Sequence, residues 1–147
     1  MMKSQQMVLD FMRAIDLPLP HDNTPTPGVY KLSATDFKRL RKLVEEEATE
    51  FNDAMWELQK ALESKDPMWA TWWVEVVDAM CDLIVVIHNT SNSMNLDLEP
   101  FYEEVMRTNM EKADGPLRED GKRLKPPGWE PPQLSMILEK MLTEGAK

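Results

Sequence analysis

The chain has 147 residues and is acidic, with 26 Asp and Glu residues against 17 Lys and Arg residues and a formal net charge of −9. This length fits one domain with a sizeable core, and the charge argues against nucleic acid or an anionic membrane surface as a partner. The single cysteine, Cys81, excludes an internal disulfide and fits a reducing compartment. Because Asp10, Arg13 and Asp16 interrupt the apolar run near the N-terminus, we expect a cytoplasmic protein without a signal peptide or membrane span.

Apolar residues recur at helical spacing along most of the chain, which predicts an all-α fold. A short first helix is predicted over residues 5–15, with one apolar side formed by Met7, Val8, Phe11, Met12 and Ile15. Prolines predict a loop over residues 17–32, and Ser33-Ala34-Thr35-Asp36 resembles a capping box that opens a long second helix. We expect this helix to end near residue 63 and further helices at about 67–91, 97–112 and 133–142.

The second helix carries glutamates in and around its apolar stripe. Glu47 is predicted near the centre of that stripe and Glu50 at its edge, while Glu46 lies further round. Glu45 points almost the opposite way, towards solvent. The pattern therefore predicts that one glutamate of this group faces the core and two flank it.

The third helix is apolar almost all round between residues 74 and 87. Its only polar residues there are Glu75, Asp78 and Asp82, which fall within about 60° of one another on a helix. A helix of this composition is expected in a core, and buried carboxylates are normally paired or bound to metal. Because no Lys or Arg lies in the segment, we predict a metal ion as the partner.

A turn signal at residues 64–67 separates the two long helices and predicts an antiparallel hairpin. Positions at equal distances from the turn then lie opposite each other, so Glu47 faces Asp82 and Glu50 faces Asp78, with Glu75 about one turn away. The hypothesis is a cluster of carboxylates between two helices. The alternative is that these acids form ordinary solvated faces.

The stretch 114–132 is long and rich in glycine and proline, and loops of this length are usually functional or disordered. Six basic and four acidic residues lie between positions 107 and 125, in a chain that is otherwise strongly acidic. A basic loop at about 113–132 beside a carboxylate cluster suits a metal–polyphosphate substrate, and Arg118 and Lys125 are candidates to bind its phosphates. A solvated tail is the alternative.

Tryptophans crowd the hairpin end of the two long helices. Tryptophan at helical spacing is more often core than ligand shelf, but an exposed ring can stack a nucleobase. The candidates for base stacking are Trp56, Trp69 and Trp73.

Five short motifs carry a family resemblance. Residues 46–50 and 75–78 read E-E-x-x-E and E-x-x-D with 24 residues between them, and residues 109–112 read N-x-x-K. Residues 120–129 contain D-G-K and K-P-P-G-W. Over about residues 39–134, the chain resembles the MazG-like, all-α nucleoside triphosphate pyrophosphohydrolases, which include phosphoribosyl-ATP pyrophosphohydrolase.

The resemblance implies a helical homodimer or homotetramer that depends on Mg²⁺ and cleaves a nucleotide to the monophosphate and pyrophosphate. Mn²⁺ suits the same carboxylate ligands and can substitute. The base and sugar stay open: dUTP, dCTP, dGTP, a damaged nucleotide, an alarmone and phosphoribosyl-ATP are all candidates.

The resemblance also assigns roles by motif. Glu46 is an additional metal ligand or orients the attacking water, and the metal ligands are Glu47, Glu50, Glu75 and Asp78. The residues that hold phosphates are Asn109, Lys112 and Lys122. Asp82 lies outside the motif and joins the metal ligands on its helical position alone.

We therefore expect a single all-α domain over residues 1–147, with its core at about 33–112 and a C-terminal helix at about 133–142. Two other classes of protein remain. A di-iron bundle also gathers carboxylates, but it needs Glu-x-x-His pairs, and neither His21 nor His88 stands at that spacing. A non-catalytic helical interaction protein derived from this fold is the second alternative.

Overall fold

The computed structural model describes residues 1–17, 19, 27–28 and 32–144. Its helices are α1 (Lys3–Ala14), α2 (Ala34–Glu63), α3 (Trp69–Ser93), α4 (Glu99–Glu111) and α5 (Leu134–Glu144), with a 3₁₀ turn over Lys112–Asp114. Within these residues, the only β-type pairing is an isolated bridge between Leu117 and Arg123. The all-α prediction is confirmed. Most of the loop predicted for residues 17–32 lies outside the described residues.

None of the helices in the described ranges combines the length and apolar character that a membrane crossing requires.

The predicted capping box opens α2. The Asp36 amide donates to the Ser33 hydroxyl at 3.2 Å, and the Ser33 amide donates to the Asp36 carboxylate at 2.8 Å. The Ser33 hydroxyl also donates to the Asp36 carboxylate at 2.6 Å, and this bond, together with the one from the Ser33 amide, favours the charged carboxylate and lowers the pKa of Asp36. Two amides that have no partner within the helix are thereby satisfied, which fixes where α2 begins.

A tight turn joins α2 to α3. The Asp66 amide donates to the Ala61 carbonyl at 2.8 Å, and the Lys65 amide donates to Leu62 at 3.2 Å. This pattern is a Schellman motif with Lys65 in the left-handed region at φ 54°. The Asp66 carboxylate then accepts from the Met68 amide at 2.8 Å. Since α2 and α3 pack on each other after this short turn, they form the predicted antiparallel hairpin.

The prediction that residues 74–87 lie in the core is wrong for the single chain. Only Val76, Ala79 and Val86 are buried there, because α2 covers one side of α3 and α1 packs near its C-terminal half. The side of α3 that neither helix covers carries a row of exposed apolar residues, which we call the α3 stripe. It consists of Trp69, Trp73, Val77, Met80, Ile84 and Ile87, exposed by 40%, 55%, 44%, 42%, 45% and 43%.

Helix α1 packs on α3 with a different side from the one predicted. Gln5, Val8 and Met12 are buried, whereas Met7 and Phe11 are exposed. The cause is a buried polar residue, which the spacing of apolar residues does not reveal. Gln5 is fully buried, and its amide bonds to Asn92 at the end of α3, which sets the orientation of α1.

The Gln5 side chain satisfies several groups at the α3–α4 junction. Its Nε2 donates to Asn92 Oδ1 at 3.0 Å and to the Leu96 carbonyl at 2.7 Å, and its Oε1 accepts from the Leu98 amide at 3.1 Å. Asn92 in turn donates to the Gln5 carbonyl at 3.2 Å. The polar run that was predicted to end α3 near residue 91 is therefore a buried contact, and the helix extends to Ser93.

Replacing Gln5 by Leu should lower the free energy of unfolding by about 2 to 4 kcal/mol, because the Asn92 Oδ1, the Leu96 carbonyl and the Leu98 amide lose their hydrogen bonds to the Gln5 side chain. Urea denaturation monitored by circular dichroism measures this loss. Gln6→Leu is the matched control, since Gln6 is exposed and bonds only to Asp10. Equal stability of the two variants would contradict the role of this network.

Candidate active site

Within the E-E-x-x-E motif of α2, Glu47 is the glutamate that the fold partly buries, while Glu46 and Glu50 are exposed. Burial raises the pKa of Glu47, and the negative charges of Glu50, Asp82 and Glu46 raise it further. The predicted proximity of Glu47 to Asp82 across the hairpin is thus present in the structure. Among the described residues, no Lys or Arg forms a salt bridge with Glu47, so its charge is surrounded by like charges.

The exposed glutamates on the same turn have basic partners. Glu45 lies 3.4 Å from Arg41, and Glu46 lies 3.1 Å from Lys42. Both are surface pairs one helical turn apart, which contribute little to stability. The orientation of Glu45 towards solvent is as predicted, and the catalytic role of Glu46 stays a prediction.

The carboxylates of α3 differ from the prediction, because Glu75, Asp78 and Asp82 are exposed in the single chain. The helix that was expected in the core has only part of its circumference covered, and the acids lie outside the covered part. An exposed carboxylate is solvated and needs no counter-charge. Because these three residues are not buried, they do not require a metal ion as a partner. The prediction of a metal site therefore depends on Glu47 and on the motif.

The carboxylates fit a divalent cation by their chemistry. In the part of the chain that the structure describes, no three His, Cys, Asp or Glu side chains lie close enough together to hold a metal ion. The donors around Glu47 are carboxylate oxygens alone, which hard cations such as Mg²⁺ prefer. A cation there would also offset the repulsion that raises the pKa of Glu47. The set Glu47, Glu50, Glu75, Asp78 and Asp82 stays a predicted ligand set.

A second group of functional candidates lies at the end of α4. Lys112 Nζ donates to Asn109 Oδ1 at 2.7 Å and lies 5.1 Å from the centre of the Trp129 ring. Lys125 Nζ lies 4.2 Å from the same ring centre. The indole Nε1 donates to the Thr108 carbonyl at 2.9 Å, which fixes the ring against α4. We call Asn109, Lys112, Lys125 and Trp129 the lysine–tryptophan cluster.

A hairpin in the tail brings Lys125 back to α4. The Leu124 amide donates to Pro116 at 2.9 Å, and the Arg118 amide donates to Lys122 at 2.8 Å. Gly115 is required at the base, because a Cβ there would lie 1.9 Å from the Leu124 carbonyl oxygen. The basic stretch is thus a folded segment and not an extended tail.

Arg118 was expected to bind phosphate, but its guanidinium pairs with the Asp120 carboxylate. This hydrogen bond raises the pKa of Arg118 and lowers that of Asp120. Arg107 is likewise held by Glu104 and Glu111. The Arg107 guanidinium lowers the pKa of Glu104 to about 2. The candidate phosphate-binding cations that have no carboxylate partner in the described residues are Lys112, Lys122 and Lys125.

The three tryptophans proposed for base stacking lie at the hairpin end and are exposed. Trp56, Trp69 and Trp73 are exposed by 58%, 40% and 55%. Trp69 and Trp73 lie with their ring centres 5.6 Å apart and tilted by 47°. Stacking of a nucleobase on any of them stays a prediction.

His88 is a buried residue of α3. Its Nε2 lies 3.0 Å from the Ser4 hydroxyl, so it bonds to α1. Burial lowers the pKa of His88 and favours the neutral ring. With this histidine engaged by α1, the described residues offer no support for the Glu-x-x-His ligands of a di-iron bundle.

A helical hairpin with E-E-x-x-E on one helix and E-x-x-D on the other, followed by a basic segment, defines an all-α pyrophosphohydrolase. The family model for phosphoribosyl-ATP pyrophosphohydrolase matches residues 8–109, and the chain belongs to this family. Membership supports a nucleotide pyrophosphohydrolase activity in general. A search among curated proteins finds no match. The family match ends at Asn109, so Lys112, Lys125 and Trp129 lie beyond it.

The contacts of Trp129 were not predicted from the sequence. The residue appeared only as the last letter of K-P-P-G-W, whereas the structure shows its ring holding two lysines. A signal existed in the sequence, because a tryptophan in a polar loop needs both an apolar contact and an acceptor for its N–H.

Replacing Glu47 by Gln should stabilise the metal-free protein at pH 7, because it removes a partly buried charge among like charges. A carboxyl group with a raised folded-state pKa binds more protons in the folded state, so its contribution to stability falls as pH rises from its ordinary pKa to the raised one. The advantage of Glu47→Gln should therefore appear at neutral pH and vanish as the pH approaches 4.5, the ordinary pKa of a glutamate. Thermal unfolding at both pH values measures it.

Glu45→Gln is the control for this comparison, since Glu45 is exposed and pairs only with Arg41. It should leave the melting temperature almost unchanged at both pH values. A Glu47→Gln protein that is less stable than wild type at pH 7 would contradict the proposed repulsion.

Proposed function

We propose that this protein is a Mg²⁺-dependent nucleotide pyrophosphohydrolase, which cleaves a (deoxy)nucleoside triphosphate or a related nucleotide to the monophosphate and pyrophosphate. The observation that carries the proposal is the position of Glu47. It lies partly buried in the hairpin beside Glu50 and Asp82, without a basic partner among the described residues, and it belongs to the E-E-x-x-E motif. A stability-costing arrangement of this kind is typical of a functional site.

The carboxylates divide the work by position. Glu47 and Glu50 on α2, with Glu75, Asp78 and Asp82 on α3, would hold the cation. Glu46 lies at the exposed edge of this group and would orient the attacking water. A Mg²⁺ ion held there would neutralise phosphate charge and lower the pKa of a water molecule.

The lysines act on the phosphate groups of the substrate, whereas the carboxylates act through the cation. Lys112, Lys122 and Lys125 have no carboxylate partners in the described chain, and Asn109 orients Lys112 through a 2.7 Å hydrogen bond. They bind the phosphates and stabilise the charge that builds on the departing pyrophosphate. Manganese satisfies the same oxygen donors and substitutes for magnesium.

We also propose that the working form is a homo-oligomer, a homodimer or homotetramer, that covers the α3 stripe. Its residues are spaced three or four apart, which is the pattern of a helix–helix seam.

One end of the stripe opens into an apolar cavity of about 450 Å³. Its walls include Ile84 and Ile87 of α3 together with Phe101 and Tyr102 of α4. A cavity of this size accepts one or two large side chains. A second copy of the chain supplies such side chains from its own stripe, which makes the seam self-complementary.

The catalytic proposal is tested by measuring pyrophosphate release from a panel of nucleotides, including phosphoribosyl-ATP, with Mg²⁺ and with excess chelator. Glu47→Gln should lower turnover of the best substrate by about 10³-fold or more, because a metal ligand loses its charge. Glu45→Gln should retain normal turnover.

Near-normal Mg²⁺-dependent activity in Glu47→Gln would refute the assigned site. Absence of pyrophosphate release by the wild-type protein across the panel would favour the alternative of a non-catalytic interaction protein.

The oligomer is tested by replacing Ile84 with Glu, which places a charge within the apolar seam. Size-exclusion chromatography with light scattering at micromolar concentration should then give the mass of a monomer, since an unpaired charge at an interface is costly. Met7→Glu is the control, because Met7 is 64% exposed, lies on α1 and is not one of the stripe residues. An Ile84→Glu protein with the wild-type mass would count against this interface.

A further inference from the structure

The ring of Trp129 brings two positive charges together in an acidic protein. Lys112 and Lys125 are thirteen positions apart in the chain, yet their Nζ atoms lie 5.1 Å and 4.2 Å from one ring centre. They cannot be further apart than these two distances combined. The face of an indole attracts ammonium groups, and this attraction offsets the repulsion between the two cations.

One hydrogen bond of the ring itself and two contacts of the neighbouring chain hold Trp129 in place. The indole N–H donates to the Thr108 carbonyl at 2.9 Å, so the ring is anchored to α4. The tail hairpin closed at Gly115 returns the chain towards α4 immediately before Lys125. Further along, the Gln133 amide donates to the Glu104 carboxylate at 3.0 Å and fixes the start of α5 to α4. The ring therefore belongs to a folded platform.

The neighbouring charges leave the two lysines available. Arg107 is paired with Glu104 and Glu111, and Arg118 with Asp120. The adjoining cavity of about 460 Å³, which Trp129 also lines, carries the paired Arg107 and three acids, Glu111, Asp114 and Glu130, so the cavity does not favour an anion. In the described part of the chain, the hydrogen-bond acceptor of the Lys112 ammonium group is the neutral amide oxygen of Asn109. Two held cations without a counter-ion suit a ligand with several adjacent negative charges.

We propose that Trp129 is a positioning residue, whose ring holds Lys112 and Lys125 as a clamp for the polyphosphate chain of the substrate. The inference rests on the proposed function for the identity of that substrate. The clamp itself recognises any linear polyphosphate, because its two cations attract adjacent negative charges and do not contact the base. A ring that served only to dock the tail would change stability without changing anion affinity.

The probe is inorganic tripolyphosphate, added to the full-length protein at low ionic strength with excess EDTA. Chelation removes any contribution from a cation at the carboxylates, so isothermal titration calorimetry reports the lysines. Trp129→Leu and Lys125→Gln should each weaken binding by about two- to fivefold or more, the loss expected for a cation–π contact of 0.5–1 kcal/mol. Trp129→Phe, which keeps an aromatic face, should retain most of the affinity.

The matched control is Lys38→Gln, which removes one exposed lysine charge from the start of α2 and should leave the affinity unchanged. With a nucleotide substrate, Trp129→Leu should raise KM more than Trp129→Phe does. Lys125→Gln keeps the ring in place, so it still tests the clamp if Trp129→Leu fails to fold.

The outcomes separate the clamp from the activity. Wild-type affinity in Trp129→Leu and Lys125→Gln would overturn the proposal, even if the melting temperature fell. Failure of the wild-type protein to bind tripolyphosphate would overturn it as well. Ring-dependent binding of tripolyphosphate by a protein that hydrolyses no nucleotide would support the clamp and refute the proposed function.

Discussion

The antiparallel pairing of α2 with α3 places negative charge against negative charge, and the rest of the candidate site depends on that conflict. Apolar contacts drive the pairing, through residues such as Leu40 and Ala61 on α2 and Val76 and Ala79 on α3. The Schellman turn at Lys65 fixes the register of the hairpin. Glu47 is carried into this contact by its place on α2, where it meets the charge of Asp82. The apolar energy of the hairpin thus sustains a local repulsion that a divalent cation would relieve.

Much of this arrangement follows from the sequence alone. The capping box at Ser33, the turn at residues 64–67 and the spacing of apolar residues determine where two long helices begin, reverse and meet. Their register then predicts that Glu47 faces Asp82, and the pKa of Glu47 reflects that neighbour. These features are local or depend on one contact between consecutive helices, so periodicity and turn chemistry are sufficient to predict them.

Other features depend on information that one sequence does not carry. An apolar residue such as Ile84 predicts that something covers it, but the pattern does not say whether the cover is the same chain or another copy. The exposed sides of α3 and the solvated Asp78 follow from this distinction. The orientation of α1 was missed for a different reason. A buried amide, Gln5, decides it through hydrogen bonds, and hydrophobic periodicity gives no weight to a buried polar residue.

The distribution of charge along the chain limits which class of ligand the protein can bind. A triphosphate carries about four negative charges at neutral pH, and a chain with net charge −9 repels it at long range. Under the proposed function, one divalent cation held near Glu47 would offset about two of those charges. The ammonium groups of Lys112 and Lys125, which lie at the Trp129 ring, would offset about two more. Neither part alone neutralises the substrate, so the carboxylates and the cluster are expected to act on one polyphosphate together, and a ligand without several linked phosphates gains little from either.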